Sequence, residues 1–173
     1  MLVVIGSSPG REQWLADASG SIEREHIAVV NYGYELAKIR WVLENTNADR
    51  FLFLQDSFII KDQSFFDLLN LYSGSVALFS DPVPYGCFAG VYERAVLEQV
   101  GVPAVASKRD SVQLEVEWCN KYVEAAGGVP VLFPEVMDAT GFVQSHNGRD
   151  NLVLENTFIT KFKGTWRVDQ IDS

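Results

Sequence analysis

The run Arg50-Phe51-Leu52-Phe53-Leu54-Gln55-Asp56-Ser57-Phe58-Ile59-Ile60 constrains this chain more than any other stretch. It is almost continuously apolar and is broken by one polar triplet. A run of this length and composition reads as a strand buried on both faces, and such strands belong to parallel sheets. Polar side chains at the carboxyl end of such a strand face the crevice in which open α/β sheets bind ligands. Because apolar residues resume at Phe58, the triplet is expected to interrupt the strand and aim Asp56 at a site, rather than only to end the strand in a turn.

The flanking segments repeat the alternation of strand and helix. Leu2 to Ile5 reads as a short buried strand, followed by the loop Gly6-Ser7-Ser8-Pro9-Gly10 and a helix from Arg11 to Ala18. That loop carries neither a dinucleotide fingerprint nor a P-loop ending in Lys-Ser/Thr. Its position at a strand's carboxyl end still keeps Ser7 and Ser8 near any ligand. Ile27 to Val30 reads as a second strand, ended by Asn31-Tyr32-Gly33-Tyr34, where Asn31 suits a turn. A helix from Glu35 to Asn45 follows, with Leu36, Ile39 and Leu43 on one face. Lys38 and Arg40 on it read as solvated charges.

Ser64 and Asp67 form a short capping signature for a helix ending near Ser73-Gly74. Ser75 to Phe79 is expected as a strand, Pro84 to Gly90 as a shaped loop, Tyr92 to Val100 as a helix and Val129 to Phe133 as a last short strand. This order is the signature of an α/β fold with a mainly parallel sheet. With 173 residues and no break in composition, one domain over residues 1–173 is expected.

Composition narrows the function classes. The formal net charge of −9 disfavours a basic nucleic-acid-binding surface over the whole domain, though not a local basic groove. Cys87 and Cys119 lack metal-like spacing and read as buried thiols of a reducing compartment. No run approaches the roughly 18 apolar residues of a membrane span, and the start lacks the marks of a signal peptide. A cytoplasmic protein without a membrane span is expected.

The helix expected from Asp110 to about Ala126 carries the most informative carboxylate. Val112, Leu114, Val116, Trp118, Cys119, Tyr122, Val123 and Ala125 share a broad apolar arc, and Glu115 falls near its middle. A buried carboxylate needs a partner, a raised pKa or a water-filled site. Glu115 is thus either a structural ion-pair member or a catalytic base. Glu117 pairs with Lys121 at i,i+4 and reads as a surface charge. Towards the end of the chain, His146 lies in a polar, glycine-containing loop. Arg149, Lys161 and Lys163 give that region positive charge suited to a phosphate-bearing ligand.

Two stretches together resemble nucleotide-sugar glycosyltransferases of the GT-A fold, family 2 type. The first is Asn31-x-Gly33-x-x-x-Ala37-Lys38, followed after a helix by Arg50 to Ser57 with its Asp-x-Asp-like end. The second is His146-Asn147-Gly148-Arg149 through Lys161-Phe162-Lys163-Gly164-Thr165-Trp166. The resemblance covers roughly residues 1–166 and implies a three-layer sandwich with a mainly parallel central sheet. It further implies transfer of a hexosyl-type sugar from a nucleotide-diphosphate donor to an acceptor, with inversion and with Mn2+ or Mg2+. On this reading Asp56 and His146 are the metal ligands. Ser7, Asn31, Lys38, Gln55, Asp56, Arg149, Lys161 and Lys163 line the donor site, and Pro84 to Gly90 lies under the acceptor and donor sugar. Glu115, with Glu117 as alternative, removes the acceptor's proton.

In Gln55-Asp56-Ser57 one expected hard ligand of the metal-binding motif is missing. The chain is also short for the family, so a partner subunit in a homo-oligomer, or a large acceptor, would complete the acceptor site. The missing ligand favours an alternative from another class: a catalytically degenerate GT-A-like domain that binds a nucleotide-sugar or a protein. A nucleotidyltransferase is a third reading, for which Gly6 to Arg11 is a poor version of the required basic loop.

Overall fold

The computed structural model describes residues 1–31, 33–80, 84–85, 88–134 and 148–163; the side chains of residues 108, 109, 112, 148–153 and 163 lie outside that description. The elements in chain order are β1 (Leu2–Ser7), α1 (Glu12–Gly20), β2 (His26–Val30), α2 (Glu35–Asn45), β3 (Arg50–Gln55), β4 (Phe58–Ile60) and α3 (Ser64–Asn70). They continue with β5 (Val76–Ala77), β6 (Gly90–Glu93), α4 (Arg94–Val100), α5 (Lys108–Ala125), β7 (Gly148–Glu155) and β8 (Ile159–Lys163).

The fold is α/β with a mixed central sheet of order β2-β1-β3-β6-β5. β1 pairs in parallel with β2 and β3, while β6 runs antiparallel to both β3 and β5. The apolar runs of β1 and β3 alternate between the two faces, so both faces of the sheet must be covered. Val3, Ile5, Leu52 and Leu54 pack on one side with Ala18 of α1, Phe65, Phe66 and Leu69 of α3, and Phe58 and Ile60 of β4. Val4, Phe51 and Phe53 pack on the other with Leu36, Ile39 and Val42 of α2, Leu97 of α4, and Trp118, Cys119 and Tyr122 of α5. Among the described residues, no helix is long and apolar enough to cross a membrane.

The organising run departs from its expected form. β3 ends at Gln55, the chain turns at Asp56-Ser57, and Phe58 to Ile60 begin a strand in a different sheet, of order β4-β8-β7. The Asp56 N–H still donates to the Gly6 carbonyl at 3.0 Å, so pairing with β1 persists up to the turn. Apolar residues resume because Phe58 and Ile60 of β4 pack into the core on one face of the central sheet, not because one strand continues. Asp56 and Ser57 are consequently both buried, at the joint between two sheets.

Other expectations are corrected by tertiary pairing. The segment from Gly90 to Glu93 is a strand, with Phe53 opposite Gly90 and Arg50 opposite Glu93, so the helix starts at Arg94 rather than at Tyr92. Ser64 does not cap α3. Its N–H is instead held by Asp62 Oδ1 at 2.9 Å, and that bond draws the Asp62 pKa below its ordinary value. The expected strand at Val129–Phe133 is reduced to a parallel bridge of Val131 with Ala77. Val116, placed by periodicity on the apolar arc of α5, is exposed, whereas Trp118, Cys119 and Tyr122 are buried. Cys87 lies outside the described residues.

Candidate functional site

The carboxyl ends of β1 and β3 converge where the strand order reverses, because β1 leads to β2 on one side and the chain then crosses to β3 on the other. Such a switch point is where open sheets hold ligands. Ser7 ends β1, and Asp56 follows the end of β3. Ser7 Oγ donates to Asp56 Oδ2 at 2.7 Å. Arg11, from the start of α1, donates through Nε to the same oxygen at 2.7 Å and through Nη2 to Oδ1 at 2.5 Å. This is a two-pronged guanidinium–carboxylate pair, the geometry in which such bonds are strongest. The guanidinium also lies 4.8 Å from the Trp14 ring centroid, and Trp14 meets Phe162 of β8 edge-on at 6.4 Å. Arg11 is thereby fixed from two sides.

A second chain of polar groups runs beside the first. Lys161 of β8 is buried opposite Phe58 in the β4–β8 register. Its ammonium donates to Gln55 Oε1 at 2.9 Å, to the Phe162 carbonyl at 2.8 Å and to Ser57 Oγ, and it lies 4.8 Å from the Phe58 ring centroid. Gln55 Nε2 in turn donates to Glu35 Oε1 at the start of α2, at 2.9 Å. Lys38, one turn further along α2, is buried, contrary to its reading as a solvated charge. Its stem passes over Gly6, where a Cβ would meet Lys38 Cδ at 2.9 Å and the Phe53 ring at 2.5 Å. The missing side chain at Gly6 is what makes room for it. Arg40, by contrast, is partly buried against the Val102 carbonyl, to which it donates through Nε at 3.1 Å and through Nη2.

Asn31, just after β2, presents a buried Oδ1 that accepts no hydrogen bond from a described residue. Its backbone N–H faces the Ser7 carbonyl at 3.4 Å, so Asn31 stands beside β1's carboxyl end. Five of the expected donor-site residues, Ser7, Lys38, Gln55, Asp56 and Lys161, are thus gathered around one joint, with Asn31 at its edge. Sequence reading missed Arg11 and Glu35. The signal was present in one respect: a buried Asp56 demands a cation, and Arg11 follows the loop at the end of the neighbouring strand.

His146 lies outside the described residues, and so do the side chains of Arg149 and Lys163, whose backbones belong to β7 and β8. Among the described residues no group of three or more His, Cys, Asp or Glu side chains could hold a metal ion. Asp56 as found has both oxygens engaged by Arg11, and Ser57 accepts from Lys161. A hard divalent cation asks for about six oxygen or nitrogen ligands, several of them anionic. The described groups at this joint do not fit one.

α5 carries the two candidate bases in different environments. Tyr122 OH accepts from the Glu93 N–H at 2.9 Å, at the amino end of β3, whereas Trp118 lies 6.2 Å from Phe88, which precedes the residue opposite Phe53. α5 therefore runs antiparallel to β3, and Glu115, one turn before Cys119, lies towards the carboxyl ends of the parallel strands. It is half-buried and shares the face of Trp118 and Cys119, and its charge contributes to raising the Tyr92 phenol. That face packs on the loop around Tyr85 and Phe88, both buried and both at positive φ, 69° and 56°. Glu117 is on the other side, exposed and paired with Lys121 at 2.6 Å. Hydrogen bonding and the charge of Lys121 hold its pKa below the ordinary range.

The chain matches no family model, no curated protein and no solved structure.

Proposed function

We propose that this chain is a glycosyltransferase of GT-A-like fold that binds a nucleoside-diphosphate sugar at the carboxyl ends of β1 and β3. The observation that carries this reading is the gathering of Arg11, Lys38 and Lys161 at a strand switch point in a chain of formal net charge −9. Cationic groups held where water is largely excluded suit a diphosphate, whose charge grows as the bond to the sugar breaks. The mixed sheet, covered by helices on both faces, supports the same architecture. Asn31 Oδ1 offers an acceptor for a donor group of the ligand, a role that accounts for its lack of a described partner.

In the reaction, an acceptor hydroxyl oxygen attacks the anomeric carbon while the bond to the diphosphate oxygen breaks. Glu115 takes the hydroxyl proton, and the diphosphate leaves with the bonding electrons. Partial burial suits Glu115 to that task, and the loop around Tyr85 and Phe88 would form the floor under the sugars. Glu117 is a poorer base because Lys121 stabilises its ionised form.

A specific observation favours a second reading. Both oxygens of Asp56 are engaged by Ser7 and Arg11, as those of a residue with a purely structural role would be. A domain of this shape that binds a nucleotide-sugar or a protein without catalysis would look the same at that joint. A thermal-shift series with UDP, GDP, CDP and TDP, followed by a donor-hydrolysis assay with the sugar form of whichever stabilises, separates the two. A ligand at a hundred times its dissociation constant adds about 2.7 kcal/mol, which is readily seen in Tm. Stabilisation with turnover is the expected result. Stabilisation without turnover on a panel of acceptors supports the binding domain, and no stabilisation by any diphosphate removes the donor site.

A further inference from the structure

We propose that the outer edge of β2 is a self-association surface, on which β2 of a second copy of this chain pairs antiparallel, with Ala28 opposite Ala28 across a two-fold axis. The proposal is independent of the donor-site reading above.

β2 ends the central sheet, and among the described residues no strand pairs with its outer side. One bond fixes which groups it leaves open. The Asn31 N–H points at the Ser7 carbonyl of β1. Backbone groups alternate in direction along a strand, so those of Ile27 and Val29 also face β1. The N–H and C=O groups of His26, Ala28 and Val30 therefore face outward, and no described residue bonds to them. The open stretch is bounded at its start, where His26 Nδ1 donates to the Arg24 carbonyl at 2.9 Å. The side chains fit an open edge: Ala28 is exposed, and Val30 is 49% exposed. His26–Val30 also has no Pro, no Lys and no bulge, the devices that keep an edge strand single.

The strand complements itself. In the register centred on Ala28, His26 lies opposite Val30 of the second copy, Ala28 opposite Ala28 and Val30 opposite His26, and each pair exchanges two hydrogen bonds. Between these pairs, Ile27 and Val29 meet Val29 and Ile27 of the second copy. Both belong to the apolar cluster under α2, so that core continues across the axis. Charge selects the partner and the register. Two copies of formal net charge −9 repel, and His26 to Asn31 is a stretch without formal charge along which they can meet. In this register Glu25 lies opposite Asn31, whereas a slide that brings Glu25 opposite Glu25 is opposed by like charge. β2 offers 5 residues a side. A standard interface uses roughly 20–30, so the dimer is weak, with a dissociation constant on the order of 100 μM.

The test is sedimentation velocity of the wild-type chain from about 10 μM to about 1 mM, a range that brackets that constant. The expected result is a monomer–dimer equilibrium that tightens as NaCl is raised, because salt screens the repulsion between copies. Ala28→Pro deletes an outward N–H without touching the pairing with β1, so it is expected to abolish the dimer and leave Tm little changed. Ala28→Cys is expected to form a disulfide-linked dimer under mild oxidation. Its two Cα atoms would lie about 5.5 Å apart, within the roughly 4.4–6.8 Å that a disulfide spans. Val30→Cys, about 14 Å from its own copy in this register, should cross-link no more than wild type, whose Cys87 and Cys119 set the background. A monomer at every concentration overturns the proposal and leaves the edge to a strand of another protein. A dimer that survives Ala28→Pro, or that cross-links as readily through Val30→Cys as through Ala28→Cys, overturns it as well. Should Ala28→Pro fail to fold, the two cysteine variants still decide.

Discussion

The Tyr85 hydroxyl donates to the Val91 carbonyl at 2.7 Å, tying the loop before β6 back onto that strand. The Tyr85 ring stacks on Tyr92 at 4.6 Å and meets Tyr122 edge-on at 5.3 Å, so one side chain joins the loop, β6 and α5. Gly90 permits this closeness. A Cβ there would stand 2.4 Å from the Val76 carbonyl oxygen and 2.6 Å from the Tyr85 ring. Because the first of these is backbone in a paired strand, it cannot move aside at low cost. Gly90→Ala is expected to destabilise the protein by about 3 kcal/mol, at the upper end for an overpacked core position. Urea denaturation measures this, and a variant within 0.5 kcal/mol of wild type would show that the loop rearranges freely.

The two glutamates of α5 are separable by experiment. Glu115→Gln is expected to lower kcat about 100- to 10,000-fold, the usual contribution of a general base, without changing the dissociation constant of the diphosphate. Glu117→Gln should leave both unchanged, since it removes an exposed pair with Lys121. Steady-state kinetics beside calorimetry report the two quantities independently. A Glu115→Gln enzyme with full turnover places the base elsewhere.

Much of the central sheet was legible because buried parallel strands leave long apolar runs. β1 and β3 are such runs, and α2 occupies Glu35–Asn45 as its period implies. β6 was not legible. Gly90-Val91-Tyr92-Glu93 runs straight into the helix at Arg94, and its pairing with β3 and β5 makes it a strand. The β7–β8 hairpin was overlooked although its turn has a local sign: Asn156 Oδ1 accepts from the N–H groups of Phe158 and Ile159, at 2.9 and 3.0 Å. At the site, Asp56 announced itself as a polar residue in an apolar run. Arg11 did not, because its contact spans 45 positions of chain, and Lys38 was placed in solvent because helical periodicity knows nothing of the space left above Gly6.

The tyrosine cluster sets an upper pH limit on stability. Burial, above all, pushes Tyr85 and Tyr92 well above the ordinary value of 10.0, and it raises Tyr122 as well. A group whose folded pKa is raised contributes stability that is fully present below its unfolded pKa and is lost as pH climbs from there through the folded pKa. The unfolded chain releases these protons first, so alkali favours unfolding. Stability attributable to the cluster should stay level to about pH 9 and then fall steadily above about pH 10, the unperturbed tyrosine value. Urea midpoints taken across that range, with tyrosinate absorbance as a second signal, provide the check. Early tyrosinate absorbance in the folded protein would mean that the phenols are hydrated.

Lys161 joins the two sheets, because it belongs to β8 and its ammonium reaches Gln55 at the end of β3 and Ser57 in the turn. Lys161→Met keeps most of the stem's volume and its contact with Phe58 but deletes the charge and its donors. Gln55 Oε1 and the Phe162 carbonyl then lose a charged donor inside the protein, and bonds of that kind are worth about 1.5–3 kcal/mol. A net loss of about 2 kcal/mol is expected by urea denaturation, together with diphosphate binding weakened about tenfold, since one of the site's cations is gone. Gln55→Leu should remove part of the same connection, so the double variant is expected to lose less than the sum of the two single losses. Additive losses would mean that Lys161 and Gln55 act independently, and that the Glu35–Gln55–Lys161 chain is not one unit.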